Sequence, residues 1–179
     1  DSTGNTRETK NYQYTTAGSP SGIPQKITVS DGYSKSTLAN GMYYVFPSGT
    51  PWIAAYDNKG ILRDLIPTEL FHGHRITASD DCILYQISEE VAKVSTLGRV
   101  TGVVQMKGYG KIRDFSYDGY DEVYWLGKKK KNEYLLATSF QTGNTRVVYR
   151  FKKDIQTGSL TVPQSGSIGV VAKNPSGVI

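Results

Sequence analysis

Residues 82–106 read CILYQISEEVAKVSTLGRVTGVVQM. Ile83, Tyr85 and Ile87 alternate with Leu84, Gln86 and Ser88, the period-two pattern of a half-buried strand. A second strand follows, then the tight turn Leu97-Gly98 and a third strand. The same order recurs on either side, in GMYYVFPSGTPWIAAYDNKGILRDLI (41–66) and EVYWLGKKKKNEYLLATSFQTGNTRVVYRF (122–151). First strands open near Met42, Ile83 and Val123, 41 and then 40 residues apart. The turn glycines Gly60, Gly98 and Gly143 are 38 and 45 apart. A period of about 40–45 with several strands per unit belongs to propeller blades and related all-β repeats.

Two further segments extend the unit. His74-Arg75-Ile76-Thr77 and Ile112-Arg113-Asp114-Phe115 precede the second and third units. Each leads into an acidic turn, Ser79-Asp80-Asp81 or Asp118-Gly119-Tyr120-Asp121. Read as innermost strands, they make four strands per unit. Asn58-Lys59-Gly60, Leu97-Gly98 and Thr142-Gly143-Asn144 supply the positive-φ positions that close hairpins. Asn40-Gly41 turns the chain into Met42–Phe46, Lys26–Ser30 reads as a short strand, and only Pro67–Phe71 suits a helical turn. In the third unit Val147, Tyr149 and Phe151 share one face, with Arg146 and Arg150 on the other. The expectation is an all-β fold of three antiparallel, propeller-blade-like repeats. A β-trefoil is the alternative, because it also uses three repeats of this length and closes within one chain. Three blades must instead be completed by another protomer or by the terminal arms.

Composition bounds the rest. The 179 residues suffice for one domain with a core, and thirteen Tyr with nineteen Gly favour strands and turns. The domain division read from the chain is a polar arm over 1–22, a β-repeat domain over 23–155 and an extension over 156–179. The first arm carries few aliphatic side chains and gains order only by pairing. Tyr12 and Tyr14 alternate with polar neighbours, as in a strand added to a sheet edge, either on a neighbouring subunit or on the chain's own core. The net charge of +5, with acidic residues spread among the basic ones, makes nucleic acid an unlikely partner. No stretch has transmembrane length and no signal-peptide core is read at the start. Asp1 in place of an initiating Met is expected of a processed chain or part of a longer one. Cys82 stands alone, so no intrachain disulfide forms. No N-glycosylation sequon occurs.

The units resemble blades of the arylsulfotransferase-type propellers, whose repeat has the form His-Asp…Asp-Gly-Asn…strand…Asp-x-x-Gly-Lys-Val. The matching segments are YDNKGILRDLI, HRITASDDCILYQISEEVAKVSTLGRVTGVV and IRDFSYDGYDEVYWLGKKKKNEYLLATSFQTGNTRVVY, covering roughly 41–151. The resemblance implies histidines at the start of innermost strands as the sulfuryl-transfer groups. His74 stands at one such position, and Ile112 with Arg113 occupies the corresponding place in the next unit. LANGMYYVFP also looks like the first strand of Kunitz-type trefoil inhibitors.

Candidate site residues are few. His72 and His74 fall on one side of an extended chain and can chelate a metal or share a proton, although no third ligand sits at a recognised spacing. No catalytic residue beyond this pair, no metal site and no cofactor is expected. Lys128, Lys129, Lys130 and Lys131 form either a grip for phosphate, sulfate or an acidic glycan, with Tyr124 and Trp125 as stacking surface, or a solvated hairpin tip. Asp118, Asp121 and Glu122, like Asp80 and Asp81, suit turn chemistry better than a calcium loop. Trp52 and Trp125 are alternatives for carbohydrate stacking, against packing within strands. The function expected is a non-catalytic structural or binding subunit of an extracellular, cell-surface or virion-type assembly, homo-oligomeric or larger, whose terminal arms contact neighbouring subunits. A propeller sulfotransferase relative using His74 and a lectin-like module are the alternatives.

Overall fold

The computed structural model describes residues 18–28, 39–68, 75–79, 81–163, 166–174 and 177–178. Every element among them is a strand, arranged in four antiparallel sheets whose strands follow chain order. The first sheet holds β1 (Met42–Val45), β2 (Trp52–Asp57) and β3 (Leu62–Pro67). The second holds β4 (Ile76–Ala78), β5 (Cys82–Ile87), β6 (Glu90–Ser95) and β7 (Val100–Gln105). The third holds β8 (Asp114–Tyr117), β9 (Glu122–Lys129), β10 (Asn132–Ser139) and β11 (Thr145–Arg150). The fourth holds β12 (Gln156–Thr161), β13 (Gly169–Asn174) and β14 (Gly177–Val178).

These sheets carry the repeat expected from the sequence. Their innermost strands β4 and β8 begin within the two segments that precede the second and third units and run one or two residues past them. Gly60, Gly98 and Gly143 all have positive φ, at 74°, 80° and 70°. Among the described residues no ladder joins one sheet to the next, the arrangement of blade-like units; a trefoil's strands close into a shared barrel.

Face-to-face packing makes the core. Ile83, Tyr85, Ala92 and Val94 of the second sheet meet Ile53 and Ile66 of the first. From the opposite face, Cys82, Leu84, Val91 and Val104 meet Phe115, Val123, Trp125 and Leu136 of the third. Beyond that, Leu126 and Leu135 meet Leu160 and Val162 around the fourth sheet. β5 is therefore buried on both sides, not half-buried, because a neighbouring sheet covers each face. Such a strand reads as a continuous apolar run. β11 corrects a second expectation. A register shift between Leu135 and Leu136 leaves Val148 packed against the fourth sheet's cluster, while Val147 and Tyr149 are exposed.

The termini pack on the chain's own sheets wherever they are described. Residues from 156, expected as an extension, form the fourth sheet, because Leu160 and Val162 complete an apolar face that β9 and β10 leave open. Ile23 and Ile27 cover Ala54 and Tyr56 on the outer face of the first sheet. Tyr56 donates its hydroxyl to Pro24 O at 2.9 Å, and Lys26 bridges to Ile61. Tyr12, Tyr14 and the end of the Lys26–Ser30 strand lie outside the described residues. So does most of the Pro67–Phe71 turn, of which Pro67 itself closes β3.

Gly60 sets how closely the N-terminal segment docks. A Cβ on it would lie 2.1 Å from the Ile27 carbonyl oxygen, and its φ of +74° disfavours any side chain. The Ile27 amide donates to Gly60 O at 2.8 Å, and the Leu62 amide to Gln25 O at 2.9 Å. Gly60→Ala is expected to destabilise the fold by about 1–3 kcal/mol and to speed hydrogen exchange at the Ile27 and Leu62 amides. Unchanged exchange at both amides would contradict this docking.

Candidate functional site

The described part of the molecule has a concavity where the innermost strands begin. It is a cleft of about 720 Å³, within the usual range for ligand sites. Arg75 enters it just before β4, and Lys111 and Arg113 just before β8. Lys128 and Lys130 reach it from the β9–β10 hairpin, and Thr157 and Gly158 from β12. Among the described residues no carboxylate lines it.

Two carboxylates set behind the cleft hold its arginines. Glu133, 2% exposed, accepts from Arg113 Nη2 at 3.1 Å and from the Thr157 hydroxyl at 3.0 Å, with Lys128 Nζ at 3.9 Å. Asp114 pairs with Arg75 at 2.6 Å, and its other oxygen accepts the Leu160 amide at 2.8 Å. Three sheets are thereby tied together at the cleft, and both guanidinium groups are oriented. Lys111 and Lys130 are exposed and have no ion-pair partner among the described residues. With little else to neutralise them, they are the charges an incoming anion meets first.

The loop ahead of β8 fits only through glycine. Gly110 has φ +63°, and a Cβ there would stand 3.0 Å from Lys128 O. The Lys128 amide donates to Tyr109 O at 2.6 Å, which closes the loop against β9. Gly127 likewise lets Tyr109 approach Trp125, since a Cβ would fall 2.8 Å from the indole.

The residues named from the sequence separate. Of the four lysines, Lys128 and Lys130 line the cleft, and Lys129 Nζ sits 5.0 Å over the Tyr109 ring instead. Lys131 is exposed at the hairpin tip and is not part of the wall. Trp125 is no stacking surface. It is fully buried between the second and third sheets, with its indole N–H on Thr138 Oγ1 at 2.9 Å. Tyr124 lies on the opposite face and four residues from Lys128, roughly 13 Å along the strand. Its hydroxyl donates to Glu122 Oε2 at 2.9 Å, and Arg146 sits over its ring. Trp52 packs half-buried beside Ile23 and Tyr56. His72, His74 and Asp80 lie outside the described residues.

Other candidates take structural roles. Asp118 Oδ1 accepts the amides of Tyr120, Asp121 and Glu122 at 2.8, 3.0 and 3.1 Å, so this acidic cluster is a turn. Burial, then the Asp81 charge, pushes the Cys82 thiol up to about 11, which keeps it protonated and unreactive near neutrality. Arg75, Lys111, Arg113, Gln86 and Thr157 were not singled out as site residues. A signal existed for two of them: Arg75 and Arg113 hold the same place ahead of successive innermost strands.

Neither a scan of family models nor a search of curated proteins returns a match. Among solved structures the chain is similar to a protein of unknown function from Bacteroides caccae. The likeness is 15% in sequence identity with a TM-score of 0.47, over 79% of this chain and 57% of that one. The chain thus spans little more than half that protein's length.

Glu122 offers a pH test of the end where Tyr124 lies. Hydrogen bonding from Arg146, at 2.6 and 2.9 Å, holds its carboxyl below the usual carboxylate range. A folded-state value below the unfolded one contributes stability above the unfolded value, lost as pH falls through the folded one. The Tm advantage of wild type over Glu122→Gln should therefore be full at neutral pH and shrink below roughly pH 4.3. A Tm difference independent of pH would contradict this pairing.

Proposed function

We propose that this chain is a non-catalytic β-sheet binding module that takes an anionic ligand in the cleft where its innermost strands begin. One observation carries the reading: among the described residues five cationic side chains converge there with no carboxylate in the wall, and Lys111 and Lys130 have no counter-ion. Fixed guanidinium groups suit planar or tetrahedral oxyanions, and the free ammonium groups add attraction at longer range. The wider setting remains the extracellular, cell-surface or virion-type assembly that the composition suggests. Because the described terminal segments pack on the chain's own sheets, the reading places function in the cleft and not in the arms.

A second reading uses the same geometry. Arg75 follows His74 directly in sequence and lines the cleft, so an arylsulfotransferase-like module would bring a sulfate ester to this wall. Transfer from an aryl sulfate donor, lost in His74→Ala, would favour that reading. Binding without turnover favours the module.

The first test is titration with inorganic sulfate at low ionic strength. The double variant Lys111→Glu, Lys130→Glu should weaken binding at least about tenfold. Added salt should weaken wild-type binding more than that of the variant, since the missing charges are exposed. Equal sulfate affinity in both proteins would refute the reading.

A further inference from the structure

The cleft does not end at Arg113. A second hollow of about 280 Å³ shares Arg113, Thr157 and Gly158 in its wall and is lined besides by Gln156, Val171, Ala172 and Lys173 of the fourth sheet. Cations therefore occupy both compartments, with Arg113 at their junction. A single inorganic anion fills one such position; a ligand with repeated anionic groups fills several.

One neutral group adds to the demand. Gln86 is 4% exposed and lines the first compartment. Its Nε2 donates to Ser88 O at 2.8 Å, which fixes the orientation of the amide. That leaves Oε1 buried with no hydrogen-bond partner among the described residues. A buried acceptor without a donor is costly, and a ligand hydroxyl or N–H would satisfy it. Sulfate and carboxylate ions, fully deprotonated near neutrality, have no donor to offer. Among the described residues no aromatic ring lines either compartment, so they offer no stacking platform of the kind that holds single-stranded nucleic acid. Multiple anionic groups, hydroxyl donors and no need of base stacking together describe an acidic oligosaccharide.

We infer that the two joined compartments bind an acidic oligosaccharide, with its sulfate or carboxylate groups on Lys111, Arg113, Lys130 and Lys173 and a sugar hydroxyl donating to Gln86 Oε1. The inference rests on the anion-binding reading and adds the ligand class and the second compartment.

The test compares three probes on the full chain by calorimetry: inorganic sulfate, a heparin-derived hexasaccharide and an oligo-dT of matched charge. The hexasaccharide should bind more than about tenfold tighter than sulfate and tighter than oligo-dT. Lys173→Ala should weaken the hexasaccharide about fivefold to tenfold and leave sulfate unchanged. Gln86→Met should weaken the hexasaccharide while Tm holds or rises, an outcome that a purely structural glutamine would not produce. Equal or tighter binding of oligo-dT overturns the inference, as does a hexasaccharide affinity insensitive to Lys173→Ala or to Gln86→Met. Sulfate binding with no gain for the hexasaccharide overturns the inference but leaves the anion-binding reading intact. Failure of all three probes to bind overturns both.

Discussion

Burial of the middle sheets on both faces is the constraint on which the rest depends. β5 and β9 each send alternate side chains into different interfaces. Ile83 and Tyr85 go to the first sheet while Cys82 and Leu84 go to the third. Val123 and Trp125 face the second sheet, and Tyr124 and Leu126 face the fourth. A one-residue slip of either strand would exchange its two sets of partners, so register and stacking order are specified together. Trp125 anchors this arrangement: fully buried, satisfied by Thr138, and met edge-on by Tyr109 at a centroid distance of 6.1 Å. Truncating a side chain of that size in a core costs about 3–5 kcal/mol.

Stacking also explains why the polar chemistry collects at one end. The innermost strands of successive sheets come together, and their backbone edges need cross-sheet partners. Asp114 supplies one by joining Arg75 ahead of β4 to the Leu160 amide of β12. Ser116 supplies another by accepting the Val162 amide at 3.1 Å. Glu133 adds the third by gathering Arg113 and Thr157. These links hold the sheets in place and leave cations facing outward between them. The cleft is thus a consequence of the stack, and rigid elements support it instead of a free loop.

The repeat was legible because glycine turns and apolar alternation are local signals. Gly60, Gly98 and Gly143 marked the hairpins, and the segments at Ile76 and Asp114 marked the innermost strands. Two-sided burial was not legible, since alternation of Ile83 with Leu84 looks the same whether one face or both are covered. The fourth sheet was hidden by its own irregularity. A register shift between Thr157 and Ser159, with Gly158 between them, breaks the pattern that would reveal β12. For the candidate cleft, the lysine run lies on a hairpin that lines it, but its aromatic neighbours in sequence do not. Strand alternation sends Lys129 to Tyr109 and Trp125 into the core, while the residues that line the cleft with Lys128 and Lys130 include Arg75, Lys111 and Thr157. Their proximity depends on sheet packing across long sequence separations, which local pattern does not encode.

We propose that ligand binds along the basic hollows lined by the second, third and fourth sheets. Amide chemical-shift mapping of the full chain during titration with the sulfated hexasaccharide tests it most directly. Shifts are expected to cluster at Gly110, Lys111, Arg113, Lys128, Thr157, Gly158 and Lys173, with Glu122, Tyr124 and Arg146 unmoved. Shifts centred on that distal group, or scattered over the surface without a maximum at the cleft, would contradict it.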